Sequence, residues 1–94
     1  MSQAFGYILK LENQKWYVGI SQDPKTRIKK HFAGKGSAWT RFHKPLEVMT
    51  LKEIKEPSIW EKEKTLSMMR DKGWKNVRGY AWCQVNLKYP PNDL

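Results

Sequence analysis

The sequence predicts an α+β domain in which helices pack against a small antiparallel sheet. Its residue patterns run in the order strand, strand, helix, strand, helix, which is typical of that class. The chain has 94 residues, of which 39% are hydrophobic and 13% aromatic. A chain of this length and composition supports a single small core rather than two lobes. We expect one domain over residues 1–88.

Two runs near the start predict an antiparallel hairpin. In residues 5–11 and again in 16–20, large apolar side chains alternate with their neighbours at the period of two that a half-buried strand requires. The polar residues 12–15 between the runs form a spacer of hairpin length.

A helix follows the hairpin. Asp23 is a favourable N-cap, Pro24 fits the first helical position, and Gly34 marks the end. Two pairs of side chains four residues apart lie on neighbouring faces of this helix: Ile28 with Phe32, and Arg27 with His31.

The second half of the chain adds a strand and a second helix. Residues 34–41 predict a loop and 46–51 a third strand. The turn at 56–58 announces a helix that ends at 72–73, and 76–80 leads into a short final element. We expect this second helix to place Ile59, Leu66 and Met69 on its core side. The two prolines in 89–94 predict a loose tail.

The charge distribution indicates a polyanionic partner. The net charge is +9, and residues 25–44 contain seven Lys and Arg but no Asp or Glu. Such a run suits nucleic acid or an anionic membrane, or it is simply a solvated face. Neither helix is basic on one face and strongly apolar on the other over enough length to lie in a membrane interface. Aromatic rings and imidazoles interleave with the cations and favour a phosphate-facing surface: His31, Trp39, Phe42 and His43.

Several other classes of protein are disfavoured. No apolar run approaches the roughly 18–20 residues of a membrane span, and the first residues do not resemble a signal peptide, so we expect an intracellular protein. Two histidines and one cysteine provide no zinc framework. We expect the single Cys83 to be a small buried side chain.

One set of polar residues could form a site for phosphodiester hydrolysis. Tyr7 and Tyr17 lie at matching places on adjacent strands, and Arg27 and His31 follow on the next helix. Glu61 on the second helix could add a carboxylate. Each residue also has a structural explanation: tyrosines often pack across strands, and Ser58 to Glu61 fits a helix-capping box.

The combination and order of these residues resemble the GIY-YIG nuclease family. The family's two strand tripeptides correspond to Phe5-Gly6-Tyr7 and Tyr17-Val18-Gly19, with the tyrosines ten residues apart. Its arginine and histidine four residues apart correspond to Arg27 and His31. The run 31–41 looks like the loop of small members. A further set is similar to the glutamate helix and following turn of phage and viral members: Glu61, Thr65, Met69, Gly73 and residues 77–79. The resemblance covers residues 6–79.

The resemblance implies a divalent-metal-dependent endonuclease with a three-stranded antiparallel sheet flanked by helices. Glu61 would be the only protein ligand of Mg²⁺ or Mn²⁺, which suits magnesium because it usually keeps several waters. Tyr7 would be the general base, provided that nearby Arg27 favours its phenolate, and Arg27 would also stabilise charge on the phosphate. Tyr17 would hold water or phosphate in line, and His31 would assist proton transfer.

Two departures from the family pattern stand out, and one further residue has an unclear register. No isoleucine precedes Tyr7, and Tyr80 stands where a second glycine is expected after Gly79. Asn76 is a candidate for a further site residue, but its register leaves it outside the set.

An alternative function is a nucleic-acid-binding module of the same fold without turnover. In either function we expect DNA as the partner, with RNA open, and four contact residues: Lys35, Arg41 and Lys44 on phosphates and Trp39 stacking on a base.

Overall fold

The sheet has four strands and is mixed. The computed structural model describes residues 3–94, with strands β1 (Ala4–Leu11), β2 (Lys15–Ser21), β3 (Pro45–Ile54) and β4 (Val77–Gly79) in the order β3-β1-β2-β4. β1 pairs antiparallel with β2 and β3, whereas β4 pairs parallel with β2. The α+β class is confirmed. The prediction of three antiparallel strands is wrong, because the chain after the long helix Pro57–Lys72 adds a fourth strand that pairs parallel with β2.

Three helices accompany the sheet: α1 (Pro24–Phe32), α2 (Ala38–Phe42) and α3 (Pro57–Lys72). Asp23 caps α1 as predicted, since its side chain accepts a hydrogen bond from the Thr26 amide. The short α2 overlaps the end of the predicted loop 34–41 and extends one residue past it. It begins there because the Ser37 hydroxyl accepts a hydrogen bond from the Thr40 backbone N–H. Short 3-10 turns occupy Glu12–Gln14 and Trp74–Asn76.

The hairpin of β1 and β2 has the predicted alternation of side chains. Tyr7 pairs with Gly19 and Leu9 pairs with Tyr17. Tyr7 and Tyr17 are therefore diagonal neighbours on one face of the sheet, not direct partners. We call this face the site face and the opposite one, on which α3 packs, the helix face.

The two faces have separate cores. On the site face the buried cluster is Tyr7, Leu9, Leu11, Tyr17 and Trp39, with Ile28 of α1 against it. On the helix face it is Ile8, Val18, Met69 and Val77, surrounded by partly buried tryptophans. Leu66 and Met69 of α3 are buried as predicted. Ile59 is not: it is 53% exposed, and its neighbour Trp60 packs against this core instead.

The end of the chain is held against α3. Asp93 forms a salt bridge of 3.1 Å with Lys62, and its carbonyl accepts a hydrogen bond from Arg70. Pro91 is buried. The other residues of the predicted tail, 89–94, are exposed. Over residues 3–94, none of the helices combines the length and the apolar character that crossing a membrane requires.

Candidate active site

Three rings on the site face form a compact cluster. Tyr7 comes from β1, Tyr17 from β2 and His31 from the last turn of α1. The ring centroids of Tyr17 and His31 are 4.8 Å apart, those of Tyr7 and His31 5.8 Å, and those of the two tyrosines 6.3 Å. The sequence predicted this convergence, and the antiparallel hairpin followed directly by α1 accounts for it.

A chain of hydrogen bonds runs through His31. The Tyr7 hydroxyl lies 3.0 Å from His31 Nε2, and Thr40 Oγ1 lies 2.8 Å from His31 Nδ1. All three side chains are almost fully buried, with exposed fractions of 1% or less. His31 thus has a partner on each ring nitrogen, and Tyr7 has an imidazole within direct proton-transfer distance.

Glycines make room for these rings. A Cβ atom at Gly19 would overlap the ring and hydroxyl of Tyr7, and one at Gly36 would overlap Nδ1 of His31. The glycine in the Tyr17-Val18-Gly19 tripeptide is therefore required by the close approach of Tyr7 rather than by backbone conformation.

Burial controls the protonation states in this cluster. It raises the pKa of Tyr7 to about 12, and the opposing effect of the Arg27 charge is smaller. Burial also raises the pKa of Tyr17. The Arg27 charge acts on Tyr7 in the expected direction, but the loss of hydration outweighs it, so the pKa stays above its ordinary value. Burial and, to a lesser extent, Arg27 lower the pKa of His31 to about 4. Near neutral pH, Tyr7 is a phenol and His31 a neutral imidazole.

Glu61 lies on α3, half-buried, and close enough for its charge to raise the pKa values of both tyrosines. Burial raises the pKa of Glu61 itself, and a hydrogen bond from the Tyr80 backbone N–H lowers it to a smaller extent. Glu61 does not form the capping box considered above. The N-cap of α3 is Glu56, and it makes no side-chain capping bond.

The donor set fits a hard divalent cation held by a single carboxylate. Within residues 3–94 no three His, Cys, Asp or Glu side chains are grouped closely enough to hold a metal ion together. Glu61 offers oxygen donors beside uncharged phenols, and Mg²⁺ commonly binds through one or two carboxylates and completes its shell with water and phosphate oxygens. Soft or tetrahedral metals that need several nitrogen or sulfur ligands do not fit this set.

Of the four predicted nucleic-acid contacts, three are exposed: Lys35, Arg41 and Lys44. Trp39 is 2% exposed, and its indole N–H donates to the Trp16 carbonyl. The prediction that Trp39 stacks on a base is wrong, because the ring belongs to the core of the site face.

Trp39 also supports a buried arginine. The Arg78 guanidinium lies 4.2 Å from the centroid of the Trp39 ring and donates to five backbone carbonyls. Two of these carbonyls, of Gln84 and Val85, belong to the segment after β4. Arg78 therefore fixes that segment against the site face rather than facing a ligand.

Sequence reasoning missed two residues at the site. Thr40 falls in the stretch interpreted as a loop, although Ser37 three residues earlier is a helix N-cap signal that could have revealed α2. Cys83 was expected to be buried. It is exposed, its Sγ lies 3.2 Å from the Tyr80 carbonyl, and it is close enough to both tyrosines and to Arg78 to influence their pKa values. No local sequence signal marks Cys83, because a long segment brings it back beside Glu61.

Comparison with known proteins agrees with this geometry. The model of the GIY-YIG catalytic domain matches residues 3–76. This chain belongs to the GIY-YIG family. The UPF0213 protein BH0048 of Halalkalibacterium halodurans is 34% identical over 77 residues, which cover 78% of this chain and 82% of the relative.

Two other GIY-YIG relatives match shorter stretches. The UPF0213 protein YazA of Bacillus subtilis is 36% identical over 45 residues, 48% of this chain and 46% of that protein. The UPF0213 protein NMA2126 of Neisseria meningitidis is 45% identical over 40 residues, 43% and 44% of the two chains. The alignment thus spans just under half the length of these two relatives. No solved structure matches. The family assignment makes this a nuclease-type domain, and the names of its relatives state no substrate.

Proposed function

We propose that this protein is a divalent-metal-dependent endonuclease that hydrolyses phosphodiester bonds of DNA. The observation that carries the proposal is the buried contact of 3.0 Å between the Tyr7 hydroxyl and His31 Nε2. A buried phenol that hydrogen-bonds a neutral imidazole has the geometry of a proton-transfer pair.

In the proposed reaction Tyr7 and His31 act as a relay. The attacking water gives its proton to the Tyr7 oxygen while the Tyr7 proton moves to His31 Nε2. The water oxygen forms a bond to phosphorus, and the bond from phosphorus to the sugar oxygen breaks, so that the sugar oxygen leaves with the electron pair and takes a proton from solvent. The pKa values of Tyr7, about 12, and His31, about 4, support this order, since each group rests in the form that the relay needs.

Arg27 is the cation of this site. Its charge lowers the pKa values of both Tyr7 and His31, so its guanidinium lies within electrostatic reach of each. We assign it to the equatorial oxygens of the phosphate, where negative charge accumulates as water attacks. Tyr17 is assigned to hold the water or the phosphate in line, since its ring lies 4.8 Å from that of His31.

Glu61 would hold the Mg²⁺ or Mn²⁺ ion. When bound, such an ion neutralises negative charge on the phosphate and the leaving oxygen. The Tyr80 backbone N–H favours the ionised Glu61 carboxylate, and we assign the exposed Lys35, Arg41 and Lys44 to attract the substrate backbone.

The test is cleavage of supercoiled plasmid, labelled single-stranded DNA and labelled RNA, each with Mg²⁺, Mn²⁺ or EDTA. We expect metal-dependent nicking by the parent protein and its loss in Tyr7→Phe and Glu61→Gln. Two matched controls should cut like the parent: Tyr89→Phe, at an exposed tyrosine, and Glu63→Gln, at an exposed glutamate two residues along α3.

Each failure has a distinct meaning. If the parent binds all three polymers and cuts none, the protein is a binding module. Cleavage of RNA alone would replace the DNA assignment, and cleavage in EDTA would remove the metal from the proposal.

Binding to nucleic acid should weaken as the salt concentration rises, and Lys44→Gln should reduce the slope of log K against log salt by about 1.

A further inference from the structure

Thr40 is the partner that fixes which nitrogen of His31 carries the proton. A neutral histidine has one N–H and one acceptor nitrogen, and a hydrogen bond at one nitrogen decides the chemistry of the other. In the proposed relay Nε2 has to accept a proton from Tyr7, so Nδ1 has to carry the hydrogen. The only described side chain hydrogen-bonded to Nδ1 is Thr40, at 2.8 Å.

Two oxygens of Ser37 bear on the direction of that bond. The Thr40 hydroxyl has a single hydrogen, and 3.2 Å from its Oγ1 lie both the Ser37 carbonyl, which can only accept, and the Ser37 hydroxyl, which can accept or donate. Such a bond back to the preceding turn is usual for threonine in a helix. With its hydrogen donated to Ser37, Thr40 Oγ1 presents a lone pair to His31 and accepts from Nδ1–H.

The site also keeps the imidazole from turning away. His31 and Thr40 are 0% and 1% exposed, so water does not compete for either nitrogen. The backbone of Gly36 lies against Nδ1, leaving no room for a Cβ atom there. Tyr7 and Thr40 thus hold the imidazole ring through its two nitrogens.

We propose that Thr40, held by the Ser37 carbonyl, is a positioning residue that keeps His31 in the Nδ1–H form and so reserves Nε2 for the Tyr7 proton. Thr40 does not touch the reacting atoms in this scheme. Its effect passes through His31. The inference rests on the proposed nuclease function for its rate, but the state of His31 is measurable without any substrate.

The direct test is the NMR spectrum of the 15N-labelled full chain at neutral pH, recorded through long-range couplings between ring nitrogens and ring protons. These couplings distinguish Nδ1–H from Nε2–H. The chain has two histidines, and a His43→Gln variant identifies the signals of His31. We expect the Nδ1–H form in the parent. An Nε2–H form in the folded parent would overturn the proposal even if the protein is an active nuclease.

Three variants distinguish a positioning role of Thr40 from a general loss of stability. Thr40→Val keeps the shape and removes the hydroxyl, and we expect a mixed or Nε2–H state with cleavage slowed by about 10- to 100-fold. Thr40→Ser retains the hydroxyl and should restore both readouts. Ser37→Ala removes the side-chain cap of α2 but leaves the carbonyl that Thr40 uses, so it should lower stability without changing the His31 spectrum.

Failure of this inference and failure of the nuclease assignment look different. A Thr40→Val protein that is folded and retains the Nδ1–H spectrum contradicts the role of Thr40. If the parent has the Nδ1–H form, Thr40→Val loses it, and neither protein cuts any substrate, the positioning role holds while the nuclease function fails.

Discussion

The two faces of the sheet use the same two strands for opposite purposes. On the helix face, Ile8 and Val18 meet Met69 and Val77 in an apolar cluster. On the site face, Tyr7 and Tyr17 surround a buried histidine, and hydrogen bonds replace part of the apolar packing. Alternation along a strand therefore lets one hairpin supply a stabilising core on one side and a reactive cluster on the other. The difference predicts that stability and activity respond to separate substitutions.

The largest effect on stability is expected on the helix face. Met69 is 2% exposed and lies in the apolar cluster, so Met69→Ala removes packing and leaves a cavity. We expect a loss of about 2–5 kcal/mol in the free energy of unfolding, measured by chemical denaturation. The folded variant should keep the parent's nicking rate. A loss of activity in the folded protein would contradict the separation of the two faces.

The pH dependence of stability should come from the site face. The unfolded chain protonates His31 below about pH 6.5, whereas the folded protein does so only near pH 4. Between these values the folded state binds fewer protons, so stability falls as the pH falls, by up to about 3 kcal/mol. Below pH 4 this contribution is fully lost.

The measurement is the free energy of unfolding between pH 4 and pH 7 for the parent and His31→Gln. Burial also lowers the pKa of His43, and carboxylates titrate in the same range, so only the difference between the two proteins reports on His31. Parallel curves would show that His31 is not held neutral in the folded state.

Two glycines offer a matched pair across the sheet. A Cβ at Gly19 meets the buried Tyr7 ring, whereas a Cβ at Gly6 meets the partly exposed Trp60 ring on the helix face, which can shift. We expect Gly19→Ala to displace Tyr7 and slow nicking by about 100-fold. Gly6→Ala should lower stability and leave the rate of the folded protein nearly unchanged. Equal rate losses would show that the site is sensitive to both faces.

The smallest effect on stability is expected at Tyr80, which stands where the family pattern has a glycine. Tyr80 has a φ angle of 54°, in the left-handed region that favours glycine. We expect Tyr80→Gly to raise the free energy of unfolding by roughly 1 kcal/mol, less whatever its ring contact with Trp82 contributes. Tyr80→Ala loses the same ring but keeps a Cβ, so it should show no gain. A less stable Tyr80→Gly protein would mean that the ring contact outweighs the backbone strain.

Most local elements of the fold could be predicted from the sequence. The alternation in β1 and β2, the Asp23-Pro24 start of α1 and the extent of α3 are all short-range signals. The parallel pairing of β4 could not be predicted, because three residues carry no pattern that identifies a distant partner. The docking of Asp93 on Lys62 is a long-range contact of the same kind.

For the candidate site, too, some features could be predicted from the sequence and others could not. Spacing and motif order pointed to Tyr7, Tyr17, Arg27 and His31, because a hairpin and the following helix can converge in only a few ways. Burial was not predictable: it made Trp39 a core residue and shifted the pKa of Tyr7 upward despite Arg27. The properties of a charged or titratable group depend on how much water the whole fold removes from it.

The parallel pairing of β2 with β4 also bears on the order in which the molecule folds. Trp16 and Val77 are paired although they lie roughly 60 residues apart in sequence, whereas the hairpin closes over a few residues. Closing the longer loop costs about 2 kcal/mol more in chain entropy. The tyrosines and His31 are joined by contacts that are nearer in sequence, and such contacts cost less chain entropy. The position of Glu61 depends on α3 and β4, so the carboxylate of the site relies on the more costly closure.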